Sequence, residues 1–277
     1  MSPFDLTGGP FLQLYGILFG LTLIAGWIIP RWLRPEGNRP RSVSVDELAW
    51  LAGGRTRFAD ALIARLLSRR ALSITGGNRF APDRSQTGET TAERSVLALT
   101  PAAPWKMIER TLRPHGEAVQ ERLIASGLLM DGGTVWQMRF WQTLPYLLLF
   151  GFGAIKLDVG LARDKPVGFL TIALLVTAIL ALVRFLAVDR KTRGGLEALN
   201  DARSQSDRMR RAPATDETDM AVALFGTAVL AGSSWSSFHT MRSANASGDS
   251  GTSGSSSDGG GCGGGGGGGG CGGCGGS

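Results

Sequence analysis

Three stretches of this chain are nearly free of charge and long enough to cross a bilayer, which limits its architecture more than any other feature. The first, 11–29, reads FLQLYGILFGLTLIAGWII. Roughly 19 residues at about 1.5 Å rise cover a hydrocarbon core about 30 Å thick. The second begins near Phe140 or Leu144 and runs through PYLLLFGFGAI to 157. The third, 167–188, reads VGFLTIALLVTAILALVRFLAV. No water inside a bilayer can satisfy the backbone, so runs of this length are read as helices.

The flanking charges give these spans a direction. Asp5 precedes the first span, with no Lys or Arg before it, and Arg31, Arg34, Arg39 and Arg41 follow. A secretory signal has the reverse polarity and a small-residue cleavage site, so this span reads as an uncleaved anchor with its N-terminus outside. Arg190, Lys191 and Arg193 follow the third span, while Arg184 lies one turn from its end and can snorkel to the headgroups. The short loop between spans two and three also carries Lys156, Arg163 and Lys165, beside Asp158 and Asp164. Lys156 and Asp158 admit two readings, an intramembrane pair on a transport path or interfacial residues reaching water. Without inverted repeats or paired broken helices, the second is preferred.

The expected plan is an all-α inner (plasma) membrane protein with three transmembrane helices. Residues 1–10 lie outside, 11–29 form the first span, and 30–139 form a cytoplasmic domain. Residues 140–157 form the second span, 158–166 a short outer loop and 167–188 the third span. A polar helical segment, 189–219, then a short apolar one, 220–235, lead into a disordered Gly/Ser/Cys tail, 236–277. The segment MAVALFGTAVLA at 220–231 is short for a span and suits a re-entrant, interfacial or core helix; extended to Trp235 it could cross a thin bilayer.

Within the cytoplasmic domain, Ser44 with Glu47 three residues on is a capping-box signature for a helix ending at Gly53-Gly54. A second helix, 57–70, puts Phe58, Leu62 and Leu66 on one face. Residues 81–95 read as loop. Thr100-Pro101 is expected to open a helix that Pro114 and Gly116 break, leaving His115 in a turn. Residues 60–72 and 117–129 share a pattern: acid, Ala, apolar, then Arg followed by two apolar residues, ending in Leu ahead of Gly76-Gly77 or Gly132-Gly133. This reads as two helix-pair repeats ending in a short strand, winged-helix-like in outline. Residues 30–140 hold 17 Lys or Arg against 11 Asp or Glu. That modest excess favours anionic lipid headgroups or a protein partner, with nucleic acid, through Arg65, Arg69 and Arg70, ranked behind.

All three cysteines, Cys262, Cys271 and Cys274, lie in the run GGGCGGGGGGGGCGGCGGS. Polyglycine cannot bury a core and supplies no helix N-terminus to lower a thiol pKa. The three sulfurs could hold a soft metal ion, Cu(I), or Zn(II) with a fourth ligand from His239 or a second chain. Otherwise they are unselective thiols on a flexible tether. No other cofactor is implied. The two histidines, His115 and His239, are far apart in sequence, and no HExxH, P-loop or GxSxG occurs, so no catalytic residue is assigned.

The first span, the DELAWLAGG segment, the repeat ending RLLSRRAL, the hairpin of two spans, the AVALFG segment and the GGGCGG tail together resemble an uncharacterised family of bacterial membrane proteins labelled near-uncomplex. The resemblance covers nearly the whole chain and implies no activity, substrate or site residue. Residues 58–80 are also similar to the repeated helices of Golgi phosphoprotein 3-like lipid-headgroup-binding domains. The leading expectation is a non-enzymatic membrane scaffold or interaction protein. The alternatives are a thiol-based metal or redox role for the tail and a membrane-tethered DNA-binding regulator.

Overall fold

Residues 8–38, 42–162, 168–211 and 214–248 are described by the computed structural model. The first apolar run is helix α1 (Gly8–Leu33). Helix α2 (Val45–Ser68) starts at the expected capping box, where the Ser44 side chain accepts from the Glu47 amide and Glu47 reaches back to the Ser44 amide. Its Gly53-Gly54 pair leaves helical geometry, and Gly54 (φ +65°) sits where a side chain would be strained. Two short helices thus meet at an angle, and the second is buried nearly all round, through Phe58, Leu62, Ile63, Leu66 and Leu67.

Strands β1 (Leu72–Thr75) and β2 (Arg79–Pro82) form a hairpin, pairing Leu72 with Pro82 and Thr75 with Arg79. Gly77 (φ +78°) and Asn78 (φ +57°) make its tight turn. Helix α3 (Thr91–Leu97) has its own capping box, Thr90 with Glu93, in a segment expected to be loop. Strand β3 (Ala103–Pro104) adds to β2, and α4 (Trp105–Ala125) follows directly. The helix expected at Thr100-Pro101 therefore starts later. The break expected at Pro114 and Gly116 does not occur, because Leu112, Val119 and Leu123 keep one continuous apolar face on the core. After α4 come α5 (Gly132–Leu161), capped by Asp131, and α6 (Gly168–Leu186). Then follow α7 (Arg193–Gln205), α8 (Asp207–Arg211), α9 (Thr218–Phe225) and α10 (Ser236–Gly248).

Three helices are long and apolar enough to cross a membrane: Gln13–Leu33 within α1, Gly132–Gly160 within α5, and α6. They pack around Phe11, Tyr15, Leu149, Leu170 and Leu174, and present Ile17, Leu21, Leu148, Ile172 and Leu175 outward. Gly153 lets the three approach closely, since a Cβ there would lie 2.8 Å from both Leu174 and Tyr15. Arg184 departs from the snorkelling reading. Pro30 has no amide proton, so the carbonyl of Gly26, four residues earlier, lacks its helical donor. The Arg184 guanidinium donates to that carbonyl. Gln142 of α5 donates to the Arg184 carbonyl at 2.5 Å, so one arginine joins all three helices.

The domain outside this bundle is built from chain on both sides of it. Helix α9 lies along α2, with Ala221, Val222 and Ala223 fully buried, and Leu230 and Phe238 fill the same core. The 220–235 segment is thus a core element of this domain. The start of the expected disordered tail is helix α10, held because Phe238 and Met241 are buried. The second repeat also differs from expectation. It ends in a lone bridge, Leu129 to Lys191, and Gly132-Gly133 opens α5 where a turn was expected.

A hydrogen-bonded collar joins bundle and domain. Arg193 and Gly194 amides donate to Pro35 and Glu36 carbonyls, the Met130 amide to Arg190, and the Thr192 amide to Leu128. The Thr192 hydroxyl also donates to Gly127 at 2.8 Å. Gly194 and Gly195 admit this crossing, since a Cβ on either would press on the backbone of Asn38 or Leu128.

Candidate functional site

The most concentrated polar chemistry in the domain outside the bundle lies on α2. Arg65 is 11% exposed and meets three carboxylates. Its Nη2 donates to Asp46 at 2.7 Å, its Nη1 to Glu93 at 3.2 Å and its Nε to Asp219 at 2.8 Å. Each acid stands in the first turn of its helix, α2, α3 and α9 respectively. Three helix N-termini, each favouring negative charge, thus converge on one guanidinium. Burial works against the arginine's charge, but Asp46 and Asp219 outweigh it and raise its pKa above the usual value. A cleft of about 620 Å³, lined by Arg65, Ser68, Arg69, Ala214, Asp216 and Asp219, opens beside the cluster. At its edge Arg69 pairs with Glu89 at 2.7 Å.

One and a half turns earlier on α2, Asp60 is buried. Its Oδ1 accepts from Arg242 Nε of α10 at 2.6 Å, and the Arg242 guanidinium lies 4.1 Å from the centre of the Trp105 ring. Burial pushes the Asp60 carboxyl up, and Arg242 and Arg57 pull it partly back. Arg57 donates to the Val222 carbonyl at 3.4 Å, and burial lowers its pKa. Both clusters clasp elements that follow α6 onto α2. An arginine locked in this way is a poor proton donor, so the chemistry here is one of clamping.

The residues singled out from sequence disperse. Cys262, Cys271 and Cys274 lie outside the described residues. Among the described residues no group of three or more His, Cys, Asp or Glu is placed to hold a metal ion. His239 lies in α10 with Nδ1 3.2 Å from the Thr227 hydroxyl. His115 is in mid-helix on α4, where its Nε2 meets Ser95 Oγ at 2.9 Å. This is no activated serine, because the hydroxyl already donates to the Thr91 carbonyl at 2.9 Å and so accepts from the ring. Lys156 Nζ sits 5.0 Å over the Phe11 ring near the far end of α5. Arg65, one of three arginines considered for DNA, has its charge engaged by carboxylates; Arg69 and Arg70 are exposed.

Sequence reasoning missed Asp46, Glu93, Asp219 and Arg242 as partners. Position in a first helical turn marks the three acids, but the Arg65–Asp219 and Asp60–Arg242 contacts span more than 150 residues, and no local pattern announces them. No protein-family model, curated protein or solved structure matches the chain.

Proposed function

We propose that this chain is a multi-pass protein of a bacterial inner membrane, with its N-terminus outside and its soluble domain in the cytoplasm. It serves there as a non-enzymatic scaffold that holds a protein partner at the membrane. The observation that carries this reading is the way the domain is made. Segments on both sides of the α5–α6 hairpin share one core, and a backbone collar fixes that core to the bundle. Such a domain is a rigid, membrane-fixed platform. Orientation rests on Arg31, Arg34, Arg190, Lys191 and Arg193, which gather where the domain meets the bundle.

Met107, 51% exposed on α4 among Lys106, Arg110 and Arg113, marks a free face of the platform. A photo-crosslinking residue at this position in the full-length chain is expected to capture a discrete protein in cells. A uniform smear matching that from Arg94, with the domain folded, would count against a scaffold.

A thiol-based metal role for the tail is the second reading. Its support is that α10 is docked in the domain core, so the chain that leads to the cysteines leaves from the domain and not from the bundle. Purified full-length protein should then carry a soft metal that is lost when all three are replaced by Ser. Equal metal content in both proteins sinks it.

A further inference from the structure

Inside the bundle, α5 carries Arg139, Gln142, Thr143 and Tyr146 at spacings of three, one and three residues, which places all four on one helical face. Gln142, Thr143 and Tyr146 are buried, at 1%, 5% and 2% exposure. Arg139 is half-buried, with its guanidinium 5.7 Å from the centre of the Phe185 ring, and Trp136 packs edge-on to the same ring at 5.9 Å. Arg184, next to Phe185 on α6, meets this face through its carbonyl bond to Gln142.

Arg139 of α5 and Arg184 of α6 thus both stand at the domain end of the bundle, the Arg139 guanidinium beside Phe185 and that of Arg184 on the Gly26 carbonyl of α1. Neither forms an ion pair with a carboxylate among the described residues. The nearest acids in sequence are committed elsewhere. Asp189 pairs with Arg34 at 3.4 Å and accepts from the Lys191 amide, while Asp131 caps α5. Two donors are left over: Arg139 Nε and Thr143 Oγ1 are buried and have no hydrogen-bond partner. Unsatisfied donors and uncompensated positive charge in an apolar surround are costly, and call for an anion.

The adjoining leaflet supplies one. Trp27, Trp136 and Trp141 are exposed around this end of the bundle, in the manner of an interfacial belt that sets headgroup depth. We propose that Arg139, Arg184 and Thr143 form a site for the phosphate of an anionic phospholipid, which enters from the leaflet beside the soluble domain. The phosphate oxygens accept from Arg139 and from the Thr143 hydroxyl. Arg184 adds charge while keeping its bond to Gly26. The site presupposes that the three helices span a bilayer, but is independent of the scaffold role.

The test uses full-length protein in nanodiscs of phosphatidylcholine mixed with phosphatidylglycerol, with bound lipid identified by native mass spectrometry. The wild type is expected to retain phosphatidylglycerol above its share of the bilayer. Arg139→Gln should weaken that retention about tenfold or more, the weight of one charge-assisted hydrogen bond. Thr143→Val, which keeps both charges, should weaken it less, and Arg94→Gln on the soluble domain should leave it unchanged. Carbonate extraction of membranes checks separately that each variant is integrated. No enrichment in the wild type, or undiminished enrichment in integrated Arg139→Gln, overturns the proposal. So does inorganic phosphate that displaces the lipid at equal concentration, since the site would then be one for a free anion.

Discussion

Replacing Arg242 with Met should release α10 from the domain, and the effect should depend on pH in a definite direction. In the native chain the Arg242 and Asp60 side chains are 12% and 10% exposed, and their contact is 2.6 Å. Removing the cation leaves Asp60 as a buried, uncompensated carboxylate. Breaking one side of such a pair costs about 3–5 kcal/mol, and losing the stack on Trp105 adds about 0.5–2 kcal/mol. Burial already raises the Asp60 pKa, and Arg242 opposes that rise. A carboxyl whose folded pKa is raised binds its proton more tightly in the native state. Its stabilising contribution is present below the unfolded value, about 4, and is lost as pH rises through the folded value. Without Arg242 the folded value climbs further, so the damage is greatest at neutral pH and shrinks on acidification. Hydrogen exchange at the α10 amides of full-length protein in detergent reads this out. A cost of about 3 kcal/mol speeds exchange at pH 7 roughly a hundredfold, with the ratio to wild type falling as pH approaches the Asp range. Asp60→Leu in the Arg242→Met background should restore much of the loss, because two apolar groups can replace a buried pair. A change below about 1 kcal/mol, or a ratio that does not vary with pH, would refute the reasoning.

Phe238→Ala should destabilise the domain outside the bundle by about 3–5 kcal/mol, seen as a lower denaturation midpoint, because its ring is fully buried against Phe80 and Trp105. Gly26→Ala should cost about 1–3 kcal/mol in thermal unfolding, since a Cβ there would lie 2.9 Å from Tyr146 Cζ; Gly16→Ala, with nothing within 4 Å, should not destabilise the bundle. Pro30→Ala returns an amide donor to the Gly26 carbonyl, so Arg184→Leu should cost less in that background, by about 1 kcal/mol in a double-mutant cycle.

The sequence made the local decisions legible and left the distant ones hidden. Ser44 with Glu47, the kink at Gly53-Gly54 and the turn after Thr75 are set by backbone and capping chemistry within a few residues, and each lies where its motif stands. The three long apolar helices could be read because a bilayer imposes a length on any apolar run meant to cross it. Pro114 misled because a proline usually ends a helix, yet here the apolar face of α4 outweighs one lost hydrogen bond. The apolar segment at 220 was ambiguous for a different reason. Hydropathy says that a segment avoids water, but not whether lipid or protein covers it. Asp219 and Arg242 remove the ambiguity, because each flanks that segment and each pairs with a charge on α2.

The same distant pairings let a domain so divided assemble. Segments 42–131 and 191–248 flank the α5–α6 hairpin, whose packing brings its two ends together and so lowers the loop-closure cost of joining them. Nonspecific burial would let the apolar run at 220–230 slide along α2 or dissolve in lipid. The two ion pairs penalise both, since a shift along α2 leaves Asp219 without Arg65 and Asp60 without Arg242. Arg184 acts in the same way within the bundle, as its guanidinium fits the one carbonyl that Pro30 has stripped of a donor. Specificity of assembly thus rests on a few buried charges that need partners on distant elements, while apolar area supplies the bulk of the driving force.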